Sequence, residues 1–283
     1  MSLEPFATQW EQLRSNSAWP LALYLLVDPM QDARLPQAIV HSAHGVPSRC
    51  LLGMEDGPDL EKGAPHLVAM PPFDAARDFW KAVLGNGAAN PPCQTLIASS
   101  RSFDDLFAHL RGYVEVVMPD GDEMALAYWD PAILGTLVGQ EDDATLHVRG
   151  PVFTPQQRAH FLSVSEGWWY WGRGGLLHRI GPPANSTVHA LPPLKLTQRQ
   201  VDELVEASVP DHLWGYMKDN QPQLLAPHSP LDQYFQVKRH FQDARKLGLS
   251  GMKDMLDYIC IAFIKGDRAA SDPVVRAMVE GAK

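Results

Sequence analysis

The side chains that could do chemistry in this chain are its histidines, aspartates and arginines, and their spacing decides what kind. His41 and His44 stand three apart, so a helix would place both imidazoles on one face. A zinc ion needs three or four ligands, and no third ligand of suitable spacing accompanies this pair. His109 stands close after Asp104 and Asp105 and beside Arg111. A histidine oriented by a carboxylate is the arrangement of a general base. The same residues at a helix C-terminus would simply favour its dipole as cations. Asp120 and Asp122 form a possible acid pair, but they flank Gly121 in a run that turn chemistry explains without catalysis. Gly172, Gly174 and Gly175 lie between two strand-like runs and suit a turn better than a phosphate loop. The motifs G-x-S-x-G, G-x-x-x-x-G-K-[ST], H-E-x-x-H and C-x-x-C are all missing from the sequence. No catalytic residue, metal set or cofactor-binding loop is assigned from these residues, and many enzyme families carry no motif readable in one sequence.

Three other groups suit recognition of a partner. Arg111 carries a planar guanidinium fork that matches a carboxylate, inside the protein or across an interface. Trp168, Trp169, Tyr170 and Trp171 are consecutive. On a strand, neighbours face opposite ways, so Trp169 and Trp171 share one face and Trp168 and Tyr170 the other. One pair can enter the core; the other needs cover from a helical lobe or from a partner. Met252 and Met255 begin a helical stripe with Leu256, Ile259, Cys260, Phe263 and Ile264. Such a stripe is the inner face of a helical lobe, or an adaptable groove for a bound segment.

The elements that must position these residues change in character along the chain. Residues 3–16 are predicted to form a helix with Phe6, Trp10 and Leu13 on one face. Residues 21–27 are a continuous apolar run ended by Asp28-Pro29, as expected of a strand covered on both sides. Further strands are expected at 50–53, 65–70, 93–100, 146–152 and 161–165, and helices at 38–43 and 73–84. Ser102 and Asp105 start a helix that ends at Gly112. Residues 113–118 and 124–129 flank a Gly-containing loop as a β-hairpin. Asp130-Pro131 caps and opens a helix running to Gly139, and residues 167–181 form a second hairpin. After the prolines of 182–193 the pattern becomes wholly helical. A capping box at Thr197 and Gln200 starts it, Pro210 breaks or kinks it, and helices begin again at Ser229-Pro230, Met252 and Asp272-Pro273. The fold class is α+β. A mixed α/β lobe occupies 1–181 and includes a hairpin-containing sheet, a proline-rich linker spans 182–196, and a helical lobe fills 197–283.

Composition narrows the functional classes. The 283 residues include 45% hydrophobic and 20% charged side chains, which suits a folded protein with a sizeable core. Residues 1–150 hold 20 acidic and 9 basic side chains and residues 151–283 hold 13 and 15, so the first half carries -11 and the second +2 of the net charge of -9. That balance gives no electrostatic footprint for nucleic acid. Cys50, Cys93 and Cys260 are sparse, odd in number and set among apolar neighbours. They are expected to be core residues in a reducing cytoplasm. No apolar run reaches the roughly 20 residues of a membrane span, and the N-terminal residues do not read as a secretory signal.

Several segments occur in a telling order. Tyr24-Leu25-Leu26-Val27-Asp28 is followed by Leu51-Leu52-Gly53 and by Ala64-Pro65-His66-Leu67-Val68. A serine run precedes residues 106–111, which read LFAHLR. Val116, then Pro119-Asp120-Gly121, and finally Tyr128-Trp129-Asp130-Pro131 complete the series. Across residues 20–140 this order and spacing resembles the N-terminal domain of the type VI secretion effector-chaperone, or adaptor, family. The resemblance implies a cytoplasmic loading factor without catalysis. Such a factor binds a toxic effector and helps attach it to the valine-glycine repeat spike protein. An immunity protein that neutralises a toxin, and a hydrolase using His109, are the alternatives. The family commonly has basic residues where this chain has Ala127 and Ala132, so contacts made by those residues do not carry over.

Overall fold

A computed structural model describes residues 4–30, 47–52, 64–76, 78–81, 83, 93–182 and 193–281. The chain divides into two compact units, Met1–Leu204 and Val205–Lys283. The fold is α+β, with strands in the first unit and helices alone in the described part of the second.

The first unit is organised by a six-stranded sheet. Its strands are β1 (Ala22–Val27), β2 (Ser48–Cys50), β3 (His66–Ala69), β4 (Gln94–Ser99), β7 (Gly167–Trp171) and β8 (Leu177–Ile180). The order across the sheet is β2-β3-β1-β4-β7-β8, and every neighbouring pair is antiparallel. All residues of β4 and β7 are buried, as are all but the first of β1. That burial on both faces explains the continuous apolar runs, because each alternate side chain still meets a covering layer.

On one face, Leu23, Leu25, Leu96, Trp169 and Trp171 pack with Phe6 and Trp10 of α1 (Glu4–Asn16) and with Trp80. On the other, Tyr24, Leu26, Ile97, Trp168 and Tyr170 meet side chains of three helices. These are α2 (Phe103–Arg111), α3 (Pro131–Val138) and α4 (Pro155–Leu162). A three-stranded sheet joins this second layer. It contains β5 (Glu115–Val117), β6 (Glu123–Ala125) and β9 (Leu194–Lys195) in the order β6-β5-β9, with β5 and β9 parallel.

Local signals account for most helix starts. Ser102 accepts from Asp105 N at the head of α2, and Asp130 accepts from Ala132 N and Ile133 N at the head of α3. Gly139 ends α3 at φ 76°, and a Cβ there would lie 2.8 Å from Pro151.

Two expected strands are absent. Residues 161–165 do not form one: Phe161 and Leu162 are the last turn of α4, which starts in a full capping box of Thr154 and Gln157 with Pro155 behind it. Residues 146–152 are irregular, although Leu146 and Val152 are buried. Gly150 has φ 68° and Pro151 has no N–H to donate, so neither extended pairing nor a ladder can continue. Residues 50–53 extend as a strand only to Cys50 before a bend. The expected helix at 73–84 begins as a 3-10 turn at Phe73–Ala75, with helical residues at 78–81 and 83. The helix expected at 38–43 lies outside the described residues.

The boundary between the units falls inside α5 (Gln198–Asn220), whose helical assignment runs on through Pro210. The second unit continues with α6 (Pro222–Leu225), α7 (Pro230–Lys246), α8 (Met252–Lys265), a 3-10 segment at Gly266–Ser271 and α9 (Pro273–Gly281). Leu213, Met217, Tyr234, Val237, Phe241, Met255 and Ile259 are among the residues of its own core. Ser229 caps α7 by accepting from Asp232 N.

The aromatic strand β7 predicts a sharp stability test. Trp169 is fully buried, stands edge-on to Phe6 at 5.3 Å, and donates its indole N–H to Gln9 at 2.8 Å. Trp169→Ala is expected to cost about 3–5 kcal/mol in urea unfolding. A loss below about 1 kcal/mol would contradict the two-sided core.

Candidate functional site

The residues singled out for chemistry fall into separate places. The first is the corner where β2 meets α2. Arg49 pairs with Asp104 at 2.7 Å and lays its guanidinium over the rings of Phe107 at 4.5 Å and Phe103 at 5.3 Å. At the far end of the helix Arg111 donates to the Leu51 carbonyl oxygen. Among the described residues Arg111 thus meets a backbone oxygen rather than an interior carboxylate. Its charge also lies close enough to Tyr128 to oppose the rise that complete burial imposes on that phenol. Tyr128 in turn donates to Leu110 O at 2.8 Å. Arg111 therefore ties the end of α2 to the segment after β2, and it remains exposed on that side.

His109 does not join Asp104 or Asp105. Asp104 is taken by Arg49, and Asp105 receives the Ser102 hydroxyl at 2.7 Å. His109 Nε2 instead lies 3.0 Å from Phe161 O, and its ring stands 5.3 Å from both the His160 and the Tyr113 rings. Tyr113 bonds His160 Nδ1. Burial lowers the His109 pKa to about 4, and the charges of His160 and Arg101 push the same way. This cluster joins α2 to α4 and lacks the orienting carboxylate of a general base.

A second buried cluster was not foreseen from sequence. Asp143 is 1% exposed; it accepts Tyr170 OH at 3.0 Å, Thr145 N at 2.9 Å and Thr145 Oγ1 at 2.6 Å. His178 on β8 places Nδ1 3.3 Å from Asp142 Oδ1 and Nε2 3.8 Å from Asp143 Oδ2. Gln140 donates to Asp142 at 2.6 Å and lies 3.4 Å from Arg179 O. Burial works against the charge of Asp142, but the bonds from Gln140 and His178 win and hold its carboxyl below the usual range. The acidic loop after α3 is thereby pinned along β8. The fit is tight: a Cβ on Gly172 would lie 3.0 Å from His178 Nε2 and 3.1 Å from Asp143 Oδ2. The only trace of this arrangement in the sequence is a pair of adjacent aspartates and a histidine within an apolar alternation.

The candidate partner residues divide by burial. Trp168, Trp169, Tyr170 and Trp171 are all buried, so these four side chains are core and none presents a free face to a partner. The cover over Trp169 and Trp171 includes Phe6 and Trp10 of α1 and Trp80. Polar tips are satisfied inside, with Trp168 Nε1 donating to Thr95 Oγ1 at 2.8 Å. In the second unit Met255 is 2% exposed and belongs to the core, whereas Met252 is 46% exposed. The middle of the stripe is therefore the inner face of the helix, whereas Met252 at its first turn and Ile264 at its last are exposed. Asp120 accepts from Asp122 N at 3.1 Å, which is turn chemistry at the hairpin tip. Gly175, at φ 71°, turns the β7–β8 hairpin. His41 and His44 lie outside the described residues. Among the described residues no three or more His, Cys, Asp or Glu side chains stand together as a metal site. No helix among them is long and apolar enough to cross a membrane.

Comparison with known proteins adds one family. Residues 23–147 match the model of a family described as a domain of unknown function, DUF4123. The match begins in β1 and ends in the loop after α3, the stretch that holds the ordered motifs. No curated protein and no solved structure matches the chain.

Two expectations follow. Met255→Asp should unfold the second unit by more than about 3 kcal/mol, because it buries an unpaired carboxylate. Met252→Asp should stay within about 0.5 kcal/mol of the parent, and equal losses in the two would contradict this burial. The second concerns pH. His109 is held neutral in the folded state, while the unfolded chain restores a pKa near 6.5. Its contribution is thus complete above pH 6.5 and is lost as pH falls towards about 4. In His109→Leu the stability drop over that window should shrink by about 3 kcal/mol; an unchanged slope would assign the acid sensitivity elsewhere.

Proposed function

We propose that this chain is a cytoplasmic adaptor of type VI secretion that binds a toxic effector protein and helps seat it on the valine-glycine repeat spike, without catalysis and without a cofactor. The observation that carries this reading is a coincidence of position. The ordered motifs that resemble the effector-chaperone family run across residues 20–140, and the family match covers residues 23–147. The motifs are also built into the fold of that stretch. Residues 24–27 lie in the central strand β1, Pro119-Asp120-Gly121 turns the β5–β6 hairpin, and Asp130-Pro131 caps α3.

Two features favour binding over chemistry. The imidazole best placed in sequence for general base work, His109, is spent on a backbone carbonyl and on aromatic neighbours. Asp143 and His178 are buried, and the Asp143 carboxylate is taken up by Tyr170 and Thr145. Ala127 packs partly buried against the core and Ala132 lies in the first turn of α3, so partner contacts in this chain do not rely on basic side chains there.

The test is a pair of measurements in the native cell. A tagged copy of the full chain should copurify with an effector and with spike protein. Deleting the gene should lower effector secretion at least tenfold while leaving the deletion strain viable. If the deletion instead leaves secretion intact and exposes the cells to their own toxin, the chain is an immunity protein and the adaptor reading fails.

A further inference from the structure

We propose that the outer edge of β6 takes up an extended, basic segment of a partner protein as a fourth strand of the smaller sheet. This rests on the adaptor reading and names the kind of segment bound.

The geometry begins with the register of the β5–β6 hairpin. Met118 N bonds Asp122 O, Val116 pairs with Met124, and Leu126 N bonds Val114 O. Hydrogen-bonded pairs alternate along an antiparallel ladder. Met124 therefore turns its backbone groups inward to β5, while Glu123 and Ala125 turn theirs outward. β6 is the edge of its sheet, and all three of its residues are exposed. Among the described residues no other element bonds those outward groups. The edge of the larger sheet at β8 differs, for there Gln140 reaches Arg179 O. An open edge of this kind supports strand addition, in which main-chain bonds give affinity and alternate side chains give specificity.

The side chains choose the occupant. Met124 shares the face of Val116, which is fully buried, and it is 41% exposed at the rim of that apolar layer. An added strand would place an apolar residue beside it. Glu123 and Glu115 lie on the opposite, solvent face, with Asp120 and Asp122 at the adjoining turn. Residues flanking the apolar one would meet this negative rim, so lysine or arginine fits there. A second copy of this chain would present the same acidic side chains to the same edge, and like charges disfavour that pairing. The fitting segment thus alternates basic and apolar residues in extended form.

The probe is a capped, fluorescein-labelled heptapeptide of alternating lysine and valine, titrated by fluorescence anisotropy against the full chain. Binding should be at least tenfold tighter than for the glutamate–valine counterpart. N-methylation of alternate backbone nitrogens on the bonding edge of the peptide should weaken it at least tenfold. Ala125→Pro removes an outward N–H that β5 does not use, and should weaken it similarly. Glu123→Lys should shift preference towards the glutamate peptide. No binding, or binding indifferent to N-methylation with the parent chain, overturns the proposal even should the proline variant fold poorly. Effector copurification with the unaltered chain judges the adaptor reading separately: it can succeed while the peptide result sinks the edge alone.

Discussion

Burial of both faces of one antiparallel sheet is the constraint on which the first unit depends. β1, β4 and β7 lie side by side in the middle of that sheet, and nearly every residue they contain is covered. A strand of this kind needs a layer above and another below, because its alternate side chains cannot all turn one way. α1 belongs to one layer; α2, α3, α4 and the smaller sheet belong to the other. The three tryptophans and one tyrosine of β7 supply much of the volume on each side, and the polar tips of Trp168, Trp169 and Tyr170 are bonded to Thr95, Gln9 and Asp143. Buried polar groups that keep their partners lower the cost of such large side chains and fix their positions.

Much of this was legible because its signals are local. The apolar run of β1, the caps at Ser102, Asp130 and Ser229, and the alternation in β7 each involve residues within a few positions of one another. α4 carried an equally local signal in Thr154 and Gln157, but the apolar pair Phe161-Leu162 at its end imitated a strand. Residues 146–152 misled for a different reason. Their apolar side chains serve the core, while Gly150 and Pro151 prevent the backbone from pairing. Burial and extended structure are separate properties, and a short apolar run reports only the first.

The candidate site was less legible because its contacts join distant parts of the chain. Arg111 finds Leu51 across 60 positions, and His109 finds Phe161 across 52. A carboxylate was one partner open to each, yet in each case the structure places a carbonyl oxygen there. The Asp143 cluster depends on a loop lying along a strand edge, which no periodicity encodes. For Met252 and Met255, spacing identified the stripe, but only the packing of the second unit separates the rim residue from the core residue.

The order of the central strands has a consequence for the time course of synthesis. β4 pairs with β1 on one side, and its other side waits for β7, residues 167–171. α1 is made before β7, yet Phe6 and Trp10 form their cluster with Trp169 and Trp171 from the far end of the unit. Until the ribosome has passed that point, an amphipathic helix and an uncovered apolar strand coexist on the nascent chain. Contacts of such long separation close slowly and leave sticky surface exposed meanwhile. A protein whose proposed work is to shelter another chain thus passes through a stage of needing shelter itself.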